Sequence, residues 1–218
     1  MNQRLSELYS REKSTLYEVK ARCSVGMHGP FLIAPNEAYW RSEIKVAFVG
    51  QETRGWASAP DIQSQMVDYS EFDLGKNYYA SPFWNVIRKL EKALTGTSHS
   101  SAWLNLNRYD QDKKRPTESN RQVLAELDFL LLEELRILAP DMVIFLTGPN
   151  YDLRINRLLQ ATQLPIKGLD PRQLCRVESS VLNSKIVRTY HPNYLPRSGV
   201  EKSIIAAIGA ELAPHTQG

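Results

Sequence analysis

Short apolar runs alternate along the chain with longer segments whose apolar residues recur at helical spacing. The clearest run, Ile44 to Val49, is rich in β-branched residues and ends at Gly50, which is typical of a buried strand. The strands predicted from such runs are 44–49, 102–107, 142–146 and 186–188. The predicted helices are 2–21, 81–95, 117–138, about 150–160 and 200–212. Between them, 57–80, with Tyr78 and Tyr79, predicts a long loop with a short helix, and 161–184 shows no clear pattern.

Alternation of strands and helices predicts a parallel sheet with helices on both faces. We therefore expect a three-layer α/β/α sandwich with a central, mostly parallel four-stranded sheet. The 218 residues are long enough to bury a core and contain no internal repeat or convincing linker. This predicts one domain over residues 1–218, with a flexible tail at 213–218.

Composition narrows the function only slightly. The net charge of +3 and pI of about 8.8 are compatible with a polyanionic partner but equally with dispersed, solvated charges. Cys23 and Cys175 are too few and too far apart for a disulfide framework or a metal site. The N-terminus does not resemble a signal peptide, and no apolar run is long enough for a membrane span. We expect a cytoplasmic protein that uses no metal and no other cofactor.

Polar side chains follow three of the predicted strands, at the edge where open α/β sheets bind ligands. Gln51 and Glu52 follow the first strand, and Glu52 could instead cap the next helix or be solvated. Asn105 and Asn107 end the second strand, although asparagine is depleted from strands. Their amides could make ordinary edge hydrogen bonds or read the edge of a base. The last strand leads into a loop at 189–197 that contains His191, two prolines and an arginine.

Two further segments carry candidate residues. Ser81 and Pro82 are good helix-starting residues, and they are followed by Phe83 and Trp84, aromatic rings that could pack in the core or stack on a ligand. Three consecutive basic residues at 113–115 could contact phosphate, although such runs are more often solvated.

Four of these segments occur in a recognisable order: Gly50-Gln51-Glu52, Ser81-Pro82-Phe83, Leu104-Asn105-Leu106-Asn107, and His191-Pro192-Asn193-Tyr194-Leu195-Pro196-Arg197. The ordered set resembles the uracil-DNA glycosylase superfamily over about residues 44–212. The closest local likeness is to its thermostable bacterial and archaeal branch, which has a Tyr-His-Pro-x-Tyr-Leu-x-Arg pattern.

The chain departs from that branch in three respects. The branch binds an iron–sulfur cluster through four cysteines, whereas this chain has two cysteines, so we expect no cluster. The family's acidic motif continues Asp-Pro-Tyr, whereas here Glu52 is followed by Thr53 and Arg54. The segment between Glu52 and Phe83 is also longer than expected, which favours a larger pocket and a modified base.

The resemblance implies a role for each candidate residue. Glu52 would orient or deprotonate the attacking water, and His191 would donate to the base carbonyl as negative charge develops there. Either Asn105 or Asn107 would read the base edge, since a shift of one residue in register changes both. Gln51 and Phe83 would complete base recognition, with Trp84 as the substitute stacking ring. The residues expected to contact DNA are the wedge candidates Tyr194 and Leu195, together with Arg197, Ser81, Pro82, Lys113 and Lys114.

These observations predict a monofunctional DNA glycosylase that hydrolyses the N-glycosidic bond of a flipped-out base, because no lysine occupies a motif position suited to a Schiff base. The base would be uracil-like or an enlarged modified pyrimidine, and the setting would be DNA repair or defence against phage. A catalytically weak DNA-binding protein of the same fold and an unrelated small-molecule α/β hydrolase are the alternatives. We expect a monomer whose partner is DNA.

Overall fold

The computed structural model describes residues 1–56, 61–77 and 81–212. Tyr78, Tyr79 and the predicted tail at 213–218 lie outside these residues. The strands are β1 (Met27–His28), β2 (Val46–Gly50), β3 (Ala102–Asn105), β4 (Asp110–Gln111), β5 (Met142–Phe145), β6 (Ala161–Pro165), β7 (Leu174–Ser179) and β8 (Lys185–Thr189). The α-helices are α1 (Gln3–Arg11), α2 (Lys13–Ala21), α3 (Glu37–Arg41), α4 (Ile62–Phe72), α5 (Pro82–Thr95), α6 (Glu118–Leu124), α7 (Asp128–Leu138), α8 (Asp152–Leu159) and α9 (Glu201–Leu212).

The fold is mixed α/β around a mostly parallel sheet, which confirms the coarse prediction. The strand order is β3-β2-β5-β8-β7-β6; the first four strands run parallel, β7 pairs antiparallel with β8, and β6 pairs antiparallel with β7. The predicted count of four strands is wrong, because this sheet has six. The two additional strands form a hairpin within 161–184. Most of the β6 side chains are only partly buried, so its sequence lacks the apolar pattern of an inner strand.

Helix ends follow local sequence signals more closely than helix interiors do. Ser81 caps α5 by accepting a hydrogen bond from Trp84 N, Pro82 is the first helical residue, and Gly96 ends the helix with a positive φ, as predicted. The predicted helix at 2–21 is instead divided between α1 and α2 at Glu12. The predicted helix at 117–138 is likewise divided, by a 3₁₀ turn at Ala125–Leu127.

The four parallel strands place their carboxyl ends at one edge of the sheet. At that edge Gly50 pairs with Asn105, and the pairing continues past β3, since Asn107 N donates to Gln51 O at 2.8 Å. The segment after β3 is anchored by Arg108, which is fully buried and paired with Glu134 of α7. The loops that follow β2, β3, β5 and β8 therefore meet on one side of the sheet.

Among the described residues, no helix combines the length and apolar character needed to cross a membrane.

Candidate active site

The shared edge of the parallel strands brings together most of the predicted site residues. Asn105 ends β3, and Glu52 lies two residues past the neighbouring end of β2. His191 lies two residues past the end of β8. Its ring centroid is 5.6 Å from that of Phe83, which is in turn 6.0 Å from the ring of Trp103 in β3. A carboxylate, an amide, an imidazole and an aromatic platform thus line the same edge.

Glu52 is a largely buried carboxylate that contacts two donors. Its side chain is 10% exposed, and Arg115 Nε lies 3.7 Å from its Oε1. Its other oxygen, Oε2, accepts a hydrogen bond of 3.1 Å from Asn107 Nδ2. Burial raises the pKa of Glu52 above its ordinary value, although the Asn107 hydrogen bond and the Arg115 charge oppose that rise. A carboxylate of this kind is suited to take a proton from water.

Asn107 has both ends of its amide engaged. Besides donating to Glu52, it accepts a hydrogen bond of 2.7 Å at Oδ1 from Arg154 Nη1. Arg154 also forms a two-pronged ion pair with Asp128 of α7. Asn107 is fully buried, so its amide joins the edge of the sheet to α8 and α7.

The amide of Asn105, unlike that of Asn107, is not engaged by other described side chains or backbone groups. It is fully buried, yet within the described parts of the chain neither Oδ1 nor Nδ2 has a hydrogen-bond partner. The indole Nε1 of Trp103, two residues earlier on the same face of β3, is also buried and unpartnered there. Both groups face Gly50, where a Cβ atom would collide with Asn105 Oδ1. Because an unsatisfied buried polar group is costly, this amide and indole are groups that a ligand would satisfy.

His191 is a neutral imidazole of defined tautomer. Burial, followed by the charges of Arg115 and Arg54, lowers its pKa to about 4. The backbone N–H of Asn193 lies 3.2 Å from Nδ1 and can only donate, so Nδ1 is the acceptor. In a neutral ring the proton is then on Nε2, which can donate it to a ligand.

In the loop at 189–197, one of the two wedge candidates is buried and the other is exposed. Leu195 is fully buried and belongs to the hydrophobic core, so the prediction of Leu195 as a wedge is wrong for this conformation. Tyr194 is 50% exposed, and its ring packs 4.5 Å from the ring of Tyr190. Arg197 is exposed on the same loop. Of the two candidates, only Tyr194 offers an accessible side chain.

The other candidate residues have simpler surroundings. Gln51 bridges two strand ends, because its Nε2 donates to Thr147 O at 2.6 Å while its Oε1 accepts from Arg115. The amide of Gln51 is thereby committed at both ends. The Ser81 hydroxyl caps its helix, whereas Pro82, Lys113 and Lys114 are exposed at the surface.

Three further side chains support this edge. Arg115 contacts Gln51, lies near Glu52 and covers the ring of Tyr151, with 5.6 Å between its guanidinium carbon and the ring centroid. Asp110 accepts hydrogen bonds from Thr53 and from the backbone of the loop after Glu52. Arg154 supports the edge through its hydrogen bond to Asn107. Arg115 lies in the basic run that the sequence did reveal, whereas no local pattern identifies Asp110 or Arg154.

Among the residues that the structure describes, no three histidine, cysteine or acidic side chains form a group that could bind a metal ion. A scan against protein-family models finds no family that matches this chain, and a search of curated proteins finds no matching relative.

Proposed function

We propose that this protein is a monofunctional DNA glycosylase that excises a flipped-out base. The observation that carries the proposal is the buried amide of Asn105, which has no partner among the described residues and lies at the same sheet edge as a buried carboxylate and a neutral imidazole. The resemblance of the four ordered segments to the uracil-DNA glycosylase superfamily supports it, and it also implies the three-layer sandwich for this sheet.

In the proposed reaction, Glu52 orients a water molecule toward the sugar carbon of the flipped nucleotide and accepts its proton. The water oxygen forms a bond to that carbon as the N-glycosidic bond breaks, and the bonding electrons leave with the base. The ionised carboxylate also opposes the positive charge that grows on the sugar. Oε1 is the oxygen suited to this task, because Oε2 is held by Asn107.

His191 stabilises the departing base. A neutral imidazole with its proton on Nε2 can donate to a base carbonyl as negative charge develops on that oxygen. Donors aimed at developing charge are usually the largest single contribution to catalysis. The low pKa of His191 keeps this donor neutral across the physiological range, so its state does not change with small changes in pH.

Asn105 reads the base edge, and Phe83 provides the stacking platform. An amide offers one donor face and one acceptor face, which matches the adjacent donor and acceptor of a pyrimidine edge. Because the amide of Asn107 is already engaged at both ends, Asn105 is the better candidate of the two. The substrate is a uracil-like or enlarged modified pyrimidine, in DNA repair or phage defence.

DNA contacts come from the exposed residues around this edge. Tyr194 is the proposed wedge that fills the gap left by the flipped base. Arg197, Lys113 and Lys114 are exposed cations suited to phosphate contacts, which position the duplex without reading its sequence. We further propose that the protein is a cytoplasmic monomer.

A catalytically weak DNA-binding protein of the same fold is the second candidate. The changed sequence after Glu52 favours it, because Thr53 and Arg54 stand where the family's acidic motif continues Asp-Pro-Tyr. Such a protein would bind DNA in a salt-dependent manner without releasing a base.

Base release measured by mass spectrometry tests the proposal. The wild type and the variants Glu52→Gln and His191→Ala would be incubated with duplexes containing uracil, hypoxanthine, xanthine or hydroxymethylated and glucosylated cytosine, and with natural phage DNA. Arg157→Met, an exposed change on α8, is the control. Release by wild type and control that is lost in both site variants supports the proposal. Binding without release supports the second candidate, and release unaffected by either variant contradicts the assigned site.

A further inference from the structure

On the interior side of Glu52, contacts between polar groups form a continuous, largely buried network. Asp128 holds Arg154 through both oxygens, at 2.7 Å from Nε to Oδ2 and through a second contact from Nη2 to Oδ1. Arg154 Nη1 donates to Asn107 Oδ1 at 2.7 Å, and Asn107 Nδ2 donates to Glu52 Oε2 at 3.1 Å. Arg154 and Asp128 are only 14% and 15% exposed.

The chemistry of arginine gives this chain a direction. A guanidinium can only donate hydrogen bonds, so the amide atom of Asn107 that faces Arg154 must be its oxygen. The amide nitrogen is then turned toward Glu52 and presents a donor to it. This arrangement therefore favours an accepting Glu52 oxygen, and an ionised carboxylate accepts more strongly than the carbonyl oxygen of a protonated carboxyl group.

The two oxygens of Glu52 differ in consequence. Oε2 is held from the protein interior by the fully buried Asn107. Oε1 has Arg115 at 3.7 Å, and the Arg115 side chain is 44% exposed, so this partner can move when a ligand enters. The interior contact sets the orientation of the carboxylate, and the exposed contact can be exchanged.

We propose that Asn107, Arg154 and Asp128 are a positioning relay that fixes Oε2 of Glu52 and leaves Oε1 to hold the attacking water. This inference rests on the proposed glycosylase function and assigns Asn107 to positioning rather than to base recognition. The relay acts through Glu52, so none of its three members needs to touch the substrate.

Two readouts test the relay. The first is the pH dependence of kcat for base release by wild type, Asn107→Leu and Arg154→Met. Loss of the donor to Glu52 lowers kcat by about 10- to 100-fold, the effect typical of losing a hydrogen bond to a charged group, while KM stays close to that of wild type. The acid limb of the profile also moves to higher pH, because the Asn107 hydrogen bond lowers the pKa of Glu52 and its loss raises it.

The second readout needs no substrate. The side-chain carboxyl of Glu52 would be titrated by NMR in protein labelled with ¹³C-glutamate, with its resonance assigned from Glu52→Gln. The pKa of Glu52 rises in Asn107→Leu and in Arg154→Met. It stays close to the wild-type value in Arg154→Lys, which keeps a donor for Asn107, and in Arg157→Met, which removes an exposed arginine from the same helix.

The outcomes separate this inference from the proposed function. An unchanged Glu52 pKa in folded Asn107→Leu or Arg154→Met overturns the relay, whether or not the protein releases a base. The same applies to an Arg157→Met shift as large as that of Arg154→Met, since charge alone would then explain the effect. If the Glu52 pKa rises in Asn107→Leu and Arg154→Met but the wild type releases no base, the relay's coupling to Glu52 is supported and the glycosylase proposal is rejected. Circular dichroism confirms that each variant is folded.

Discussion

Replacement of each of the two edge asparagines by alanine should change stability in opposite directions. Asn105 is buried with neither amide atom partnered among the described residues, whereas Asn107 bridges Glu52 and Arg154. Removing an unsatisfied buried amide recovers about 1–3 kcal/mol of desolvation cost. Asn105→Ala also leaves a cavity of about 30 Å³, which at ~24 cal/mol per Å³ reduces this gain in stability by about 0.7 kcal/mol. The net expectation is about 1 kcal/mol of stabilisation and a Tm higher by about 3 °C.

Asn107→Ala deletes the same atoms with the opposite expected result. It removes the partner that Asn107 provides to Arg154 Nη1 and to Glu52 Oε2, and a lost hydrogen bond to a charged group costs about 1.5–3 kcal/mol. Arg154 keeps its ion pair with Asp128, so we expect a total loss of about 2–4 kcal/mol and a Tm lower by about 5–10 °C.

Urea denaturation and differential scanning calorimetry at pH 7 measure both changes, and neither requires a known substrate. The pair is a matched control, because the two substitutions are chemically identical and lie two residues apart. If Asn105→Ala is destabilised as strongly as Asn107→Ala, the Asn105 amide is satisfied in the native protein and is not reserved for a ligand. Base release should also be lost in Asn105→Ala despite its greater stability, as expected for a group kept for function.

Three further predictions concern charge and exposure at this edge. His191 has a pKa of about 4 in the folded protein and about 6.5 in the unfolded chain, so the unfolded state binds more protons between these pH values. The free energy of unfolding should therefore fall by about 3 kcal/mol as the pH drops from 6.5 to 4. In urea denaturation at several pH values, His191→Gln should show a weaker dependence on pH. The pKa of Glu52 is raised in the folded protein, so its ionisation lowers the free energy of unfolding as the pH rises above the pKa of the unfolded state. Calorimetry should show that Glu52→Gln is more stable than wild type at pH 7 and that this difference in stability shrinks toward pH 4. An equal difference at both pH values would contradict the prediction. Tyr194→Ala should weaken base flipping, measured by the fluorescence of 2-aminopurine beside the target base, and should leave Tm within about 1–2 °C of wild type. Leu195→Ala should instead lower the free energy of unfolding by about 2–5 kcal/mol in urea denaturation, because Leu195 is fully buried.

Local signals in the sequence were sufficient for the parts of the fold that depend on backbone chemistry. Ser81, Pro82 and Gly96 bound α5 as predicted, because capping and positive φ are properties of single residues. The break between α1 and α2 at Glu12 has no glycine or proline to reveal it. These two helices pack against different partners, α1 against α4 and α7 and α2 against α6, so tertiary packing decides their separation. The β6–β7 hairpin was missed because β6 carries no apolar alternation.

At the candidate site, the sequence indicated which segments meet but not how individual side chains are used. The order of the motifs brought Glu52, Asn105 and His191 to one edge, because the ends of parallel strands share an edge. Leu195 was a plausible wedge from its loop position alone, and only packing shows that its side chain is part of the core. Asp128 is distant in sequence from every motif, so its link to Glu52 could be found only from the three-dimensional contacts.

The difference between the two asparagines follows from where β3 ends. Asn105 is the last residue of the strand and pairs with Gly50, so its side chain stays on the face where the missing Cβ of glycine leaves room for the amide. Asn107 lies past the strand, where its backbone bonds to Gln51 O and its side chain reaches Arg154. A glycine opposite one amide and an arginine beside the other therefore leave the first without a hydrogen-bond partner among the described residues and commit the second to the carboxylate. Replacing Gly50 by alanine should consequently displace the Asn105 amide, because the new Cβ would collide with its Oδ1, while the hydrogen bond from Asn107 to Glu52 persists.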